Sequence, residues 1–145
     1  MAFQHCCPKP AGFRRVRQPE YRRTLMPASR IHHVNFVVED LDEAMPRFEA
    51  TLGLAPFEVV DHAPRGARIA RSKLGESWFV LVAPYDPESV PGRYLSTHGE
   101  GFFLLSLATD DSHEWRDGIL DWQVADIGDI NGASFQVTKE TREEY

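Results

Sequence analysis

Two stretches of the chain begin in the same way, with a run of strand-forming residues followed at once by acidic residues. Residues 31–38 lead into Glu39-Asp40-Leu41-Asp42-Glu43, and residues 102–108 lead into Asp110-Asp111. Runs rich in β-branched and aromatic residues favour strands, and an aspartate that follows such a run can cap the first turn of a helix. A strand–helix unit that occurs twice predicts an α+β domain built from two similar modules.

The first module, residues 30–84, has a complete pattern. In the strand predicted at residues 31–38, the odd positions share one face: Ile31, His33, Asn35 and Val37. Apolar residues at helical spacing then predict a helix that Gly53 ends: Leu41, Ala44, Phe48 and Leu52. Further strands are predicted at residues 56–61, 66–73 and 77–83, so the order is β-α-β-β-β.

The second module, residues 101–138, follows a proline-marked linker at residues 85–100 and is shorter. Asp110-Asp111 can cap a helix of only a turn or two, because Gly118 follows closely. Strands are predicted at residues 121–127 and 133–138, on either side of an Asn131-Gly132 hairpin turn. Judged by ordinary element lengths, roughly fifteen to twenty residues are missing, which correspond to most of a helix and one strand.

Composition excludes several classes of protein. The chain has 145 residues, of which 42% are hydrophobic and 26% charged, as in one globular domain with a core. It has no apolar run near the roughly 20 residues that a transmembrane helix needs. Its two cysteines, Cys6 and Cys7, are adjacent and cannot cross-link a fold. We therefore predict a cytoplasmic protein rather than a membrane, collagen-like or disulfide-rich one.

The charge is divided unevenly along the chain. Residues 1–30 carry seven Lys or Arg residues and one acidic residue. The remainder carries nine Lys or Arg residues and twenty-one acidic residues. We interpret residues 1–29 as a basic leader that is either flexible or docked on the acidic body by charge. A nucleic-acid arm is disfavoured, because neither interleaved aromatic residues nor a known binding motif accompanies the arginines. Residues 139–145 are interpreted as a polar tail.

Several motifs occur in an order found in one known family. Ile31-His32-His33-Val34, the acidic Asp40-Leu41-Asp42-Glu43-Ala44 segment and Leu52-Gly53-Leu54 resemble the opening of a vicinal oxygen chelate domain. This superfamily includes glyoxalase, methylmalonyl-CoA epimerase, ring-cleaving dioxygenases and bleomycin-resistance proteins. Val82-Ala83-Pro84, residues 94–101 and the closing hairpin at residues 129–137 resemble the epimerase branch most closely. The resemblance implies paired βαβββ modules that form a cupped mixed sheet around a pocket. It also implies a homodimer, because members commonly pair modules between chains.

The resemblance implies four positions at which enzymes of the superfamily hold a divalent metal. They fall on His33, Val80, Leu104 and Gln136, one on each of four strands. Valine and leucine have no side-chain donor atom, and a glutamine amide is a weak ligand. We therefore expect no metal cofactor at the usual position, and a divalent metal on a non-standard ligand set is the alternative.

A pocket is predicted on the inward faces of the strands. His33 is the candidate catalytic residue, as a general base or hydrogen-bond donor. The alternative is a core histidine bonded to Gln136 or Asn35. His62 and His98 are interpreted as exposed loop residues. An apolar lining with a few polar groups is typical of a small-molecule site, and the predicted ligand-binding residues are His33, Asn35, Trp78, Val80, Phe102, Leu104, Ser106 and Gln136, with Ser134 also facing inward.

Three functions remain open at this stage. The first is a protein that binds a small apolar or aromatic molecule without a metal. The second is an isomerase or lyase of the epimerase type that uses His33 with a relocated ligand set. The third is a domain that serves only in subunit association. The predicted partners are a small-molecule ligand and a second copy of the chain, and neither a membrane nor nucleic acid is expected.

Overall fold

A computed structural model describes residues 28–111 and 113–140, so the predictions for residues 1–27 and 141–145 lie outside the described residues. Eight strands, two α-helices and one 3₁₀ turn follow each other along this part of the chain. Their bounds are β1 (Arg30–Val37), α1 (Leu41–Leu52), β2 (Glu58–His62), the 3₁₀ turn (Ala63–Arg65), β3 (Ala67–Leu74), β4 (Ser77–Pro84), α2 (Val90–His98), β5 (Gly101–Thr109), β6 (Arg116–Asp117), β7 (Gln123–Ile130) and β8 (Ala133–Lys139).

All eight strands belong to one curled, mixed sheet in the order β2-β3-β4-β1-β5-β8-β7-β6. Strand β1 is parallel to β4 and antiparallel to β5, and β5 is parallel to β8. The first strands of the two modules therefore lie side by side at the centre of the sheet. The predicted α+β class with a cupped mixed sheet is confirmed.

Helix α1 covers the convex face of the first module. The Asp40 side chain accepts a hydrogen bond from the Glu43 backbone N–H at 3.2 Å, and Gly53 ends the helix with a φ of 66°. Only glycine adopts that left-handed conformation without strain, so Gly53 acts as the predicted stop. The buried face of α1 contacts an apolar cluster that includes Phe79 and Leu81.

The predicted linker contains a helix that was not expected, because several prolines mark this segment. Helix α2 begins after Ser89, whose hydroxyl accepts a hydrogen bond from the Gly92 N–H at 3.1 Å. Pro91 lies in the first turn, where a helix tolerates proline because the missing N–H would have no partner there. Tyr94 and Leu95 of α2 pack against the apolar cluster on the concave face of the sheet.

The short helix predicted after Asp110-Asp111 does not form within residues 110–111 and 113–122. Instead, strand β6 leads into a tight turn at residues 118–122, which we call the 118–122 turn. The Gly118 N–H donates to the Trp122 carbonyl at 2.8 Å, and the Trp122 N–H donates to the Ile119 carbonyl at 3.0 Å. Leu120 has a φ of 53°, which is unfavourable for a leucine. The turn places Ile119 and Trp122 in the core of the concave face.

Two irregularities in the pairing of β1 with β5 change which side chains face inward. Ile31 pairs with Leu107 and His33 with Ser106, so His32 is an extra residue in β1. His32 is consequently buried beside His33, while Ile31 is 47% exposed.

A second irregularity lies in β5. Asn35 pairs with Leu104 and Phe36 with Phe102, so Phe103 is the extra residue. Phe103 and Leu104 both enter the inner core, whereas the Phe102 ring contacts Phe36 on the α1 side of the sheet. The predicted inward orientation of Phe102 is therefore wrong, because strict alternation along the strand does not hold at a bulge.

The curl of the sheet separates two apolar clusters. The cluster on the concave face contains Val37, Ala67, Ile69, Val80, Val82, Phe103, Leu104, Ile119, Trp122 and Val124. The cluster beneath α1 contains Val38, Leu41, Ala44, Ala70, Phe79, Leu81 and Ala83. In the described part of the chain, neither helix is long and apolar enough to cross a membrane.

Candidate functional site

The concave face of the sheet holds a cavity with an empty volume of about 330 Å³, including its open mouth. We call it the cup cavity. Strands from both modules and the 118–122 turn contribute to its wall, so only the folded sheet assembles it. Its lining residues are His33, Asn35, His62, Arg65, Ile69, Val80, Arg116, Gly118, Ile119, Trp122, Val124 and Gln136.

Trp122 occupies much of the cup and is only 5% exposed. Its ring is stacked on His33 with a centroid distance of 4.7 Å and an interplanar angle of 16°. It also meets His32 edge-on at 4.8 Å, and the Arg71 guanidinium lies 5.0 Å from its centroid. With the indole in this position, the inner part of the cavity has room for little more than a water molecule.

His32 and His33 form a buried pair with their Nδ1 atoms 2.9 Å apart. Burial, followed by the charges of Arg30 and Lys73, lowers the pKa of His32 to about 4. Burial also lowers the pKa of His33 well below 6.5, with further contributions from His32 and Arg65, and Gln136 opposes this shift. Both rings are therefore neutral at neutral pH, so one Nδ1 donates the hydrogen bond and the other accepts it.

This pair limits what His33 can do chemically. Trp122 covers one face of the imidazole, and Nδ1 is engaged by His32. The sequence predicted that a structural His33 would bond to Gln136 or Asn35. A hydrogen bond with the Gln136 side chain is among the causes that act on the pKa of His33, and His32 is the partner of its Nδ1.

Charged groups lie at the mouth of the cup cavity. Asp126 accepts two hydrogen bonds from Arg116, at 3.1 and 3.0 Å, and one from Gln136 Nε2 at 3.1 Å. Burial alone would raise the pKa of Asp126, but the hydrogen bond from Gln136 and the charge of Arg116 outweigh it and lower that pKa. Burial, together with the neighbouring arginines, lowers the pKa values of Arg65 and His62.

The structure distributes the sequence-predicted site residues over three settings. His33, Asn35, Val80 and Gln136 meet around the cup cavity, while Phe102 lies on the opposite face. Three others are on the inner face but outside that cavity. Trp78 packs edge-on against Trp122, and Ser106 Oγ bonds to Thr138 Oγ1 at 2.7 Å. The third, Leu104, lines a neighbouring groove together with Ser134.

Several cavity residues were missed by the sequence analysis. Trp122 lies in the strand predicted at residues 121–127, Ile119 lies just before that strand, and Arg116 lies in the segment predicted as a short helix. His62, interpreted as an exposed loop residue, is the last residue of β2 and lines the cavity. The one local signal was Gly118, which marks a turn, but it does not indicate the direction in which the neighbouring side chains project.

The inner donor atoms do not fit a divalent metal. Val80 and Leu104 occupy two of the four positions that the resemblance assigns to ligands, and neither carries a donor atom. The pairing of His33 Nδ1 with His32 further reduces the available set. Across residues 28–111 and 113–140, no three His, Cys, Asp or Glu side chains come together in a way that could hold an ion.

Comparison with solved structures identifies folds similar to this one. A methylmalonyl-CoA epimerase variant from Streptomyces coelicolor, in complex with 2-nitronate-propionyl-CoA, superimposes with a TM-score of 0.75 at 22% identity, covering 82% of this chain and 99% of that one. The Mycobacterium tuberculosis epimerase gives a TM-score of 0.73 at 21% identity, covering 83% and 92%. A hypothetical protein from Bacillus halodurans gives 0.71 at 19% identity, covering 78% and 95%. At these identities the likeness establishes the fold alone.

Sequence comparison assigns the family. No curated protein matches the chain. Residues 32–124, well over half of the chain, match the profile of the Glyoxalase/Bleomycin resistance protein/Dioxygenase superfamily. The match begins at the histidine pair in β1 and ends at the second residue of β7, so it covers nearly all of the first module and the first part of the second, without β8. The chain therefore belongs to the Glyoxalase/Bleomycin resistance protein/Dioxygenase superfamily.

Proposed function

We propose that this protein binds a small molecule in the cup cavity without a divalent metal at the usual four positions. The observation that carries the proposal is a pair of polar atoms in the cavity wall. Asn35 Oδ1 and Trp122 Nε1 are buried, and neither has a hydrogen-bond partner among the described residues. Buried polar atoms are nearly always paired, so an unpaired donor and acceptor in one cavity indicate a missing partner.

The wall suggests the chemistry of that partner. The Trp122 N–H requires an acceptor such as a carbonyl oxygen, and Asn35 Oδ1 requires an N–H or O–H donor. Ile69, Val80 and Val124 form the apolar part of the wall, which favours an aliphatic or aromatic body. Because Trp122 fills much of the cup, a molecule larger than water enters only if the 118–122 turn moves outward with Trp122, whose N–H then faces the enlarged cavity. The turn is closed by two backbone hydrogen bonds and joined to a strand of only two residues.

A calorimetric and NMR screen tests this proposal. We expect that at least one compound from a panel of aromatic acids, amides and short acyl thioesters binds and shifts the Trp122 indole N–H signal, assigned with a W122F variant. Asn35→Ala should weaken that binding about tenfold, the effect of losing one hydrogen bond to a buried group. Asn131→Gly changes the chain's other asparagine, which lies in a turn at a φ of 51°, and should leave binding unchanged.

If no compound of the panel binds in the cup, the result contradicts the proposal. It would favour the alternative that the domain serves only in subunit association. A ligand whose affinity is the same in wild type and Asn35→Ala would place the binding site elsewhere.

Metal analysis tests the second half of the proposal. After dialysis against zinc, nickel, cobalt, iron or manganese and then against buffer, we expect far less than one metal per chain by mass spectrometry. The reason is that the inner positions Val80 and Leu104 supply no donor atom. Stoichiometric metal that is lost in His33→Ala but retained in His98→Ala would overturn this and revive the isomerase or lyase alternative.

We also propose that the protein forms a homodimer. Large apolar side chains are exposed on β1, β5 and β7, where no helix in the described part of the second module covers the sheet. Apolar groups in such an arrangement favour association between copies of a chain. The side chains concerned are Ile31, Phe102, Ile127 and Ile130.

A further inference from the structure

One cation at the mouth of the cup cavity has no counter-ion among the residues that the structure describes. Among the described residues, no acceptor atom lies within hydrogen-bonding distance of the Arg65 guanidinium, and no carboxylate lies within ion-pair distance. Its closest described interaction is with the face of the Phe103 ring, whose centroid lies 5.8 Å from the guanidinium carbon. Arg65 is half-buried, and withdrawing an arginine charge from water without a partner is costly.

The carboxylate whose charge acts on Arg65 already accepts hydrogen bonds from other residues. Asp126 attracts Arg65, but its oxygens accept hydrogen bonds from Arg116 and Gln136. Arg116 therefore has its counter-ion, whereas the described part of the chain offers none to Arg65. Burial and the neighbouring arginines keep His62 predominantly neutral. Among the residues that line the cup cavity, Arg65 and Arg116 are the charged ones, whereas Asp126 and Asp129 line the adjoining groove. The charge that faces the largely apolar cup is therefore positive.

The backbone holds Arg65 at this place. It is the last residue of the 3₁₀ turn, and the next residue, Gly66, has a φ of 60°. A Cβ atom on Gly66 would lie 2.7 Å from Cβ of Asp86, so the turn is packed tightly against the segment before α2. Glycine is required here both by conformation and by space. The fold thus fixes the backbone of Arg65 beside the cavity that its side chain lines, where the guanidinium has no counter-ion among the described residues.

We infer that the molecule bound in the cup is a carboxylate, and that Arg65 is the residue that binds its carboxylate group. The inference rests on the proposed function, since it names the chemical class of the ligand for the same cavity. A carboxylate matches the planar guanidinium fork with two charge-assisted hydrogen bonds. Arg65 also borders the adjoining groove, but Asp126 and Asp129 line that groove and would repel a carboxylate, so a ligand held by Arg65 extends into the cup.

The test compares acids with their uncharged amides as probes. Benzoate, butyrate and phenylphosphonate are titrated beside benzamide and butyramide, and binding is followed by calorimetry and by the Trp122 indole N–H signal. We expect each carboxylate to bind at least about tenfold more tightly than its amide, and more tightly than the phosphonate. Arg65→Gln should abolish the preference for the acid. Arg68→Gln, which removes an equal charge three residues away beside Asp42, should preserve it.

Each outcome decides between the two proposals. Acids and amides that bind equally, or an acid preference that survives in Arg65→Gln, would overturn the inference and leave small-molecule binding intact. A phosphonate preferred over both carboxylates would also overturn it, because the ligand would then be a phosphoryl compound. Failure of every probe to bind in the cup would contradict both proposals.

Thermal unfolding without ligand gives a second readout. Arg65→Met removes a charge that has no partner while keeping an apolar stem of similar length, so we expect the melting temperature to rise by a few degrees. Arg68→Met should leave it nearly unchanged. A lower melting temperature in Arg65→Met would show that Arg65 stabilises the fold itself, which is incompatible with a charge reserved for a ligand.

Discussion

Replacing Trp122 with alanine is expected to lower the free energy of unfolding by about 4 kcal/mol, as for other large aromatic side chains removed from a core. Trp122 contacts His33, His32 and Trp78 and lies in the inner apolar cluster, so its loss leaves a cavity in the concave face. Urea unfolding measured by circular dichroism gives the value. The turn that carries Trp122 also loses the packing that compensates for the unfavourable φ of Leu120.

Trp115→Ala is the matched control, because this half-buried ring has only His113 as an aromatic neighbour within the described ranges. It should cost less than about 1 kcal/mol. We further expect indole at millimolar concentration to raise the melting temperature of Trp122→Ala and not of wild type, since apolar cavities made by truncation bind small rings. A loss below about 1 kcal/mol for Trp122→Ala would mean that the indole does not fill the cup in solution.

Lowering the pH from 8 to 5 is expected to destabilise the protein by about 2 kcal/mol through His32 alone. The pKa of His32 is about 4 in the folded chain against 6.5 for an ordinary histidine. The unfolded chain therefore takes up a proton below about pH 6.5, whereas the folded chain resists until about pH 4. The contribution of His32 to the free energy of unfolding is fully present above the pKa of the unfolded chain. It is lost as the pH falls toward the pKa of the folded chain. His33, whose pKa is lowered for the same main reason, acts in the same direction.

Urea midpoints at pH 8, 6 and 5 measure this dependence. His32→Gln should have a shallower dependence on pH, and His98→Gln, which changes an exposed histidine, should match wild type. The pKa of Asp126 is lowered from 3.8, so its contribution is lost only at more acidic pH and does not enter this comparison. Equal midpoints at pH 8 and 5 in wild type would contradict the buried neutral pair.

Much of the fold could be predicted from short-range patterns. The strand at residues 31–38, the helix from Leu41 to Gly53 and the Asn131-Gly132 hairpin were all readable from alternation, capping and turn residues. Each depends on interactions between neighbours in the chain, which is why sequence alone identifies them. Helix α2 was not predicted, because prolines suggest a loop unless the tertiary contacts of Tyr94 and Leu95 are known.

The candidate site was less predictable. His33, Asn35, Val80 and Gln136 were identified because strand periodicity and the family resemblance both pointed inward at these positions. Phe102 was assigned to the wrong face because an extra residue in β5 shifts the alternation, and nothing in the local sequence marks that bulge. Trp122 and Arg65 were missed because each projects from a turn whose direction depends on the rest of the molecule.

The sequence by itself determined most of the local elements, and the family resemblance that it carries implied that two modules meet in one mixed sheet and that two of the usual ligand positions carry valine and leucine. The local elements follow from residue identity and from spacing along a single element. Only the tertiary structure decided what occupies the cup: the 118–122 turn inserts Trp122, the bulge brings His32 beside His33, and the tight turn at Gly66 directs Arg65 to the mouth. The physical reason is that these placements depend on register and packing between distant segments, which no local pattern encodes.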